Sequence, residues 1–191
     1  MAKADILAGA PLTGTGGVLV APTGTTPLPT DSSTALPPAF KATGYVGEDG
    51  VTMSTERSVE TIKAWGGDTV RTLQTEHDVT FSWSFLETNA DVLKEVYGAA
   101  NVTTTAASST KGTLQAIQVK GDALPERAYV FEMRDGAARL RIVVPNLQIT
   151  ETSDATFVHS DVVRYEVTAQ AMPDANGVKA YIFTDNGVTT A

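Results

Sequence analysis

The residue types that carry most enzyme chemistry are sparse in this chain, and their spacing is wrong for it. There are two histidines, His77 and His159, with no HxxxH or HxH spacing. Paired imidazoles at such intervals are what a zinc site or a His-based proton relay needs. His77 falls in phase with the inward side of a strand pattern near its exposed start, as a structural histidine does. Cysteine is absent, which removes thiolate nucleophiles, Cys-ligated metal and disulfide scaffolds together. Serine and threonine are plentiful, yet no GxSxG elbow occurs. Gly14-Thr15-Gly16-Gly17 lacks the GK[ST] with which a P-loop holds phosphate, and no helical pattern follows it. Glu48 with Asp49, and Glu76 with Asp78, are neighbouring carboxylates in turns or at strand edges. Acid–base work would require a cleft that separates their pKa values. Asn101-Val102-Thr103 matches a glycosylation sequon, but no export signal accompanies it. The expectation is a protein that is not an enzyme, with no catalytic, cofactor-binding or metal-ligating residue and no cofactor.

The elements that would have to position such residues are mostly strands. The chain has 191 residues, enough for one substantial core. No segment reaches the ~20 apolar residues of a membrane helix, so a soluble protein is expected. Residues 1–38 are rich in Gly, Thr, Pro and Ala, with one apolar island at Val18-Leu19-Val20, and read as an arm that cannot order itself. Asp49-Gly50 lies between two short β runs as a hairpin signal. An irregular stretch ending at Trp65-Gly66-Gly67 is followed by a strand over about 71–86. There Leu73, Val79, Phe81, Trp83 and Phe85 define a buried face, and Thr80, Ser82 and Ser84 a hydroxyl face. A short helix over about 89–97 follows, with Thr88 as N-cap, Asp91 at N3 and Gly98 ending it. Residues 99–112 read as a polar loop.

The strongest hairpin signal is RAYVFEMRDGAARLRIVV. With Asp135-Gly136 as its turn, Tyr129 faces Ile142, Phe131 faces Leu140 and Met133 faces Ala138. Glu132 then faces Arg139, and Val130 faces Arg141. Further strands are expected over 147–150, 161–171 and 178–183. Asn176-Gly177 would close a last hairpin with Asp174 opposite Lys179. Many antiparallel strands with one helix predict a mainly β fold, an antiparallel sandwich or barrel spanning 39–191 behind the 1–38 arm.

The charge balance excludes a further class. The chain holds 22 Asp plus Glu against 14 Lys plus Arg, net -8. Nucleic-acid binders gain affinity by neutralising phosphates with Lys and Arg, and this chain would on average repel a polyanion.

Several segments together resemble the major tail proteins, or tail tube subunits, of long-tailed phages with non-contractile tails, particularly those of actinobacterial hosts. They are Gly44–Val51 (GYVGEDGV), Ile62–Gly67 (IKAWGG), Glu87–Leu93 (ETNADVL), the VLVAPTGTT stretch and RYEVTAQAMPDANG. The resemblance covers most of the chain and rests on the combination and order of these segments. It implies a β-sandwich of the tail tube type with a flanking helix. It also implies hexameric rings stacked into a tube, whose lumen is a continuous β-barrel through which double-stranded DNA passes without specific binding. The arm and long loops would bridge subunits. Other implied partners are the tape measure protein, a tail assembly chaperone, and the tail terminator and distal tail proteins. The implied location is the virion, after assembly in the host cytoplasm. Alternatives are another virion component, such as a head-decoration or tail-completion protein, or an extracellular carbohydrate-binding β-sandwich. The latter usually exposes aromatics on one face, whereas here they total 7% and mostly fall in core phase.

Overall fold

The computed structural model describes residues 6–189. Among them are β1 (Val18–Pro22), β2 (Lys41–Ala42), β3 (Val46–Lys63), β4 (Thr69–Phe85), α1 (Ala90–Tyr97), β5 (Val102–Thr105), β6 (Leu114–Ile117), β7 (Arg127–Asp135), β8 (Ala138–Thr152), β9 (Tyr165–Met172) and β10 (Tyr181–Asp185). One sheet runs β2-β1-β7-β8-β9-β4-β3, with β10 also on β8. β5 and β6 form a separate hairpin. Each strand pairing is antiparallel.

The sheet closes over one core to which β4 and β9 turn every second residue. Val79, Phe81, Trp83 and Phe85 on β4 are buried, and so are Tyr165, Val167, Ala169 and Ala171 on β9. They meet Tyr129 and Phe131 of β7 across the interior, where Phe81 stacks on Phe131 with ring centroids 5.1 Å apart. Val92, Leu93 and Val96 of α1 cap the same core. A smaller apolar layer lies on the outer face of β1, β7 and β8. There Leu19, Val130 and Val143 are covered by Phe40, Leu28 and Leu36 from the β1–β2 connection.

Several local expectations are corrected. Asp49-Gly50 is not a turn: it lies inside β3 as a bulge, with the register jumping between Val46 and Val51 and Gly50 at φ 68°. Asp-Gly suits any position needing positive φ, and a bulge is such a position. The stretch before Trp65 is not irregular but is the second half of β3, paired with β4 in a long hairpin. The N-cap is Asn89, whose Oδ1 accepts the Val92 amide at 2.9 Å, not Thr88. Residues 99–112 are not a featureless loop. They hold a 3₁₀ turn (Ala99–Asn101) and β5, which pairs with β6, its threonines suiting a strand.

The β7–β8 hairpin forms two residues out of the expected register. Gly136 and Ala137 are the loop, and Asp135 faces Ala138, Phe131 faces Ile142 and Glu132 faces Arg141. Gly136 has φ 60°, as the first loop position of a type II′ turn requires. A two-residue slip keeps every side chain on its face, so the apolar pattern cannot discriminate between the registers. The segment expected over 147–150 is the end of one long β8, which continues through Pro145. β10 pairs with β8 and not with β9, so Asn176-Gly177 closes a turn without a hairpin. Asp174 accepts from the Tyr181 hydroxyl at 2.7 Å, and Lys179 turns to Asp78. The apolar island Val18-Leu19-Val20, placed in a self-disordered arm by composition, is a buried strand between β2 and β7.

Candidate assembly surfaces

Three surfaces stand out, and each follows from the strand pattern. The first is the outward face of the β3-β4-β9-β8 sheet. Opposite the buried residues of β4 stand Asp78, Thr80, Ser82 and Ser84. Register places Ser54 against Thr80 and Thr52 against Ser82 on one side, with Gln170, Thr168 and Glu166 on the other. Gln148 and Glu151 of β8 continue the row opposite Gln170 and Thr168. This face is built of hydroxyls, amides and carboxylates, and its strand positions supply no Lys or Arg. Beside it, Lys179 bonds the His77 carbonyl and lies 3.4 Å from Asp78, and Arg164, just before β9, pairs with Asp161.

The second surface is the distal half of the β3–β4 hairpin. Beyond Thr55 and Val79 its residues are exposed on both faces, apart from the partly covered Leu73, His77 and Asp78. Cross-strand bonds hold the ribbon: Ser58 Oγ donates to Glu76 Oε2 at 3.0 Å, and Thr75 Oγ1 to the Ser58 carbonyl at 3.2 Å. The turn closes with the Ala64 amide on the Asp68 carbonyl at 2.8 Å. Val59, Ile62, Trp65 and Val70 are exposed, Trp65 fully so at 104%. A two-stranded ribbon without a packed face is marginal in water, and an apolar tip of this kind marks a contact surface.

The third consists of strand edges. β3 ends the sheet order, leaving one side of its 18 residues unpaired. On β8, residues 148–152 pair with β9 only. Long open edges are templates for pairing with another chain.

Elsewhere, buried charges fasten the β1–β2 connection and α1 to the sheet. Arg141, 4% exposed, donates through Nε and Nη2 to Glu132 Oε1 at 3.0 and 2.5 Å. Its Nη1 donates to the carbonyls of Asp31 and Thr34, both at 2.9 Å, fastening the β1–β2 connection to the sheet. Asp31 in turn accepts the amides of Ser33 and Thr34 and the Thr34 hydroxyl, which hold its carboxyl well below the usual range. On the opposite flank, Tyr129 donates to Glu95 Oε2 at 3.0 Å, tying α1 to β7. Burial pushes the Glu95 carboxyl up, against the pull of Arg127 Nε 3.3 Å away and of the Tyr129 hydroxyl.

The residues weighed for chemistry are not brought together. His159 is exposed in the β8–β9 connection, far in sequence from half-buried His77, and no group of three or more His, Cys, Asp or Glu among the described residues can hold a metal ion. Glu48 and Asp49 are exposed at the β3 bulge. Arg139 does not pair with Glu132, because Arg141 occupies it, and instead lies 3.5 Å from the Ser33 carbonyl. Gly14–Gly17 form a tight turn whose Gly16 abuts the Gly44 backbone. A Cβ on Gly16 would lie 1.8 Å from the Gly44 carbonyl oxygen. Sequence reasoning missed the projecting hairpin. The alternation Thr55-Glu56-Arg57-Ser58 is polar on both faces, so it carried no amphipathic signal.

An antiparallel β subunit with an apolar-tipped projecting hairpin and open strand edges has the features of an assembly component. The profile of the phage tail tube protein family matches residues 9–190, and the chain belongs to that family. It is a structural tail tube protein. No curated protein sequence matches it. Among solved structures, it is similar to a chain of the native gene transfer agent virion at 11% identity. That alignment has a TM-score of 0.42 and covers 88% of this chain and 95% of the other. It is also similar to a chain of the extended sheath–tube complex of an extracellular contractile injection system at 7% identity. The TM-score there is 0.44, covering 89% and 90%. A third similarity, at 11% identity and TM-score 0.43, is to the tube-terminating cap of the anti-feeding prophage, covering 96% and 98%.

Proposed function

We propose that this chain closes into hexameric rings that stack as the tube of a phage tail, and that the β3-β4-β9-β8 face lines the lumen as a passive conduit for genomic DNA. The observation that carries this reading is the composition of that face. Hydroxyls and amides interact weakly with phosphate, and Glu151 and Glu166 add negative charge while Lys179 is paired with Asp78. A surface of that kind repels the DNA backbone and leaves it free to slide. The open edges of β3 and β8 bound the same four-stranded sheet, so pairing the β3 edge of one subunit with the β8 edge of the next extends one sheet around a ring. Such a contact is heterologous, as ring closure demands. The N-terminal segment would reach neighbours through its exposed start, where Ile6 is 77% exposed.

The experiment is to measure binding of double-stranded DNA to purified protein at physiological salt, for wild type and for Ser82→Lys/Thr168→Lys. No measurable affinity is expected for wild type. Salt-dependent binding is expected only for the lysine variant, because adjacent Ser82 and Thr168 then place two cations on one face. Submicromolar wild-type binding that weakens steeply with salt would overturn the conduit reading.

A further inference from the structure

The hairpin tip has a counterpart elsewhere on the same chain. A cavity of about 360 Å³ opens between the start of β3, β1, β7 and the N-terminal segment. Half-buried Val46, Val51 and Met133 supply its accessible apolar lining, Val18 and Phe131 being fully covered, and glycines contribute much of the remainder. Gly50 has open space where a side chain would stand, whereas Gly16, Gly17 and Gly47 are closed against Gly44, against Glu132 and Pro11, and against Ser84. Glu48 and Asp49 stand exposed at the rim. The tip presents the opposite: fully exposed Trp65, flanked by Lys63 and Arg71 against a single acid, Asp68. Among the described residues, none of Lys63, Arg71, Glu48 and Asp49 has an ion-pair partner.

Knob and hole cannot meet within one chain. Val51 lines the cavity and Lys63 begins the tip, and the strand rise separates them by roughly 40 Å. We propose that Trp65 of one subunit inserts into the glycine-lined cavity of a second copy, with Lys63 and Arg71 against Glu48 and Asp49. A knob and a hole on distant parts of one chain make a head-to-tail contact that propagates from copy to copy. An exposed indole covered in a pocket with charges at its rim has the make-up of an interface anchor. This rests on the tail tube reading and gives that assembly a residue-level contact.

The full chain lacks cysteine, so introduced thiols report unambiguously. A chain carrying both Trp65→Cys and Glu48→Cys, assembled and mildly oxidised, is expected to give a covalent ladder extending beyond dimers. Either single-cysteine chain should give no ladder, because its thiol meets no second thiol across the contact. Independently, Lys63→Glu/Arg71→Glu should abolish assembly, and adding Glu48→Lys/Asp49→Lys should restore it. If the cysteine chain fails to fold, the charge swap decides alone, with restored assembly supporting the contact and its absence refuting it. A folded double-cysteine chain that forms wild-type tubes without a ladder overturns the contact and leaves the tube reading standing. A wild-type chain that stays monomeric at every concentration, with no tubes in electron micrographs, overturns both.

Discussion

Removing Arg141 should cost more stability than any surface substitution, and the structure indicates how much. Arg141→Met keeps the packed length of the side chain but leaves Glu132, 8% exposed, as a buried carboxylate without its cation. Breaking a buried pair from one side costs about 3–5 kcal/mol. The carbonyls of Asp31 and Thr34 lose their donor too, but their connection lies at the surface where water replaces it, so they add little. With a urea m-value of ~2 kcal/mol/M, the midpoint should fall by about 2 M. The assay is urea unfolding followed by tryptophan fluorescence, since Trp83 packs in the core against Phe131 and Tyr129 and reports global unfolding. It is run at concentrations where sedimentation shows single chains. Glu132→Leu/Arg141→Met removes both charges and should recover at least ~2 kcal/mol of the loss, because a buried pair replaced by apolar groups is often near neutral. A single variant within ~1 kcal/mol of wild type, or a double variant no better than the single, would refute the reasoning.

Further outcomes follow from other contacts. Phe81→Ala should destabilise by about 3–5 kcal/mol through the cavity left opposite Phe131, measured by the same unfolding curves. Asn89→Ala should cost ~1 kcal/mol as a lost N-cap, whereas Thr88→Ala should stay within about 0.5 kcal/mol; thermal melts separate the two. Because burial raises the folded-state pKa of Glu95, the folded state holds its proton more tightly than the unfolded chain. Stability should therefore decline as pH rises from the ordinary glutamate range through the raised value, and Glu95→Gln should flatten that decline in pH-dependent melts. Gly16→Ala should prevent normal folding, since its Cβ would overlap the Gly44 carbonyl, and circular dichroism would report it.

How much of this was legible in the sequence depends on whether a feature was local. The alternation on β4 and β9 showed which residues enter the core, because a half-buried strand encodes its faces at every second position. The helix after β4 and its end at Gly98 were legible for the same reason. Register was less so: the β7–β8 slip keeps both faces apolar and polar as before, and only the turn geometry at Gly136 selects between the two pairings. Non-local pairing was not legible at all. Nothing near Tyr181 indicates that β10 leaves β9 for β8, and nothing near Val18 shows that three apolar residues among Gly and Thr will find Tyr129 and Phe131. Of the candidate surfaces, the hydroxyl row Thr80, Ser82 and Ser84 was visible directly. Its continuation through Thr168, Gln170 and Gln148 needed the strand order.

The central claim is that this row faces the interior of a tube. A cryo-electron microscopy reconstruction of the assembled protein tests it most directly. The account predicts six-fold rings in which Ser82, Thr168 and Glu166 line the lumen and the edges of β3 and β8 pair between neighbours. A tube with that face turned outward, or buried between rings away from the lumen, would contradict it.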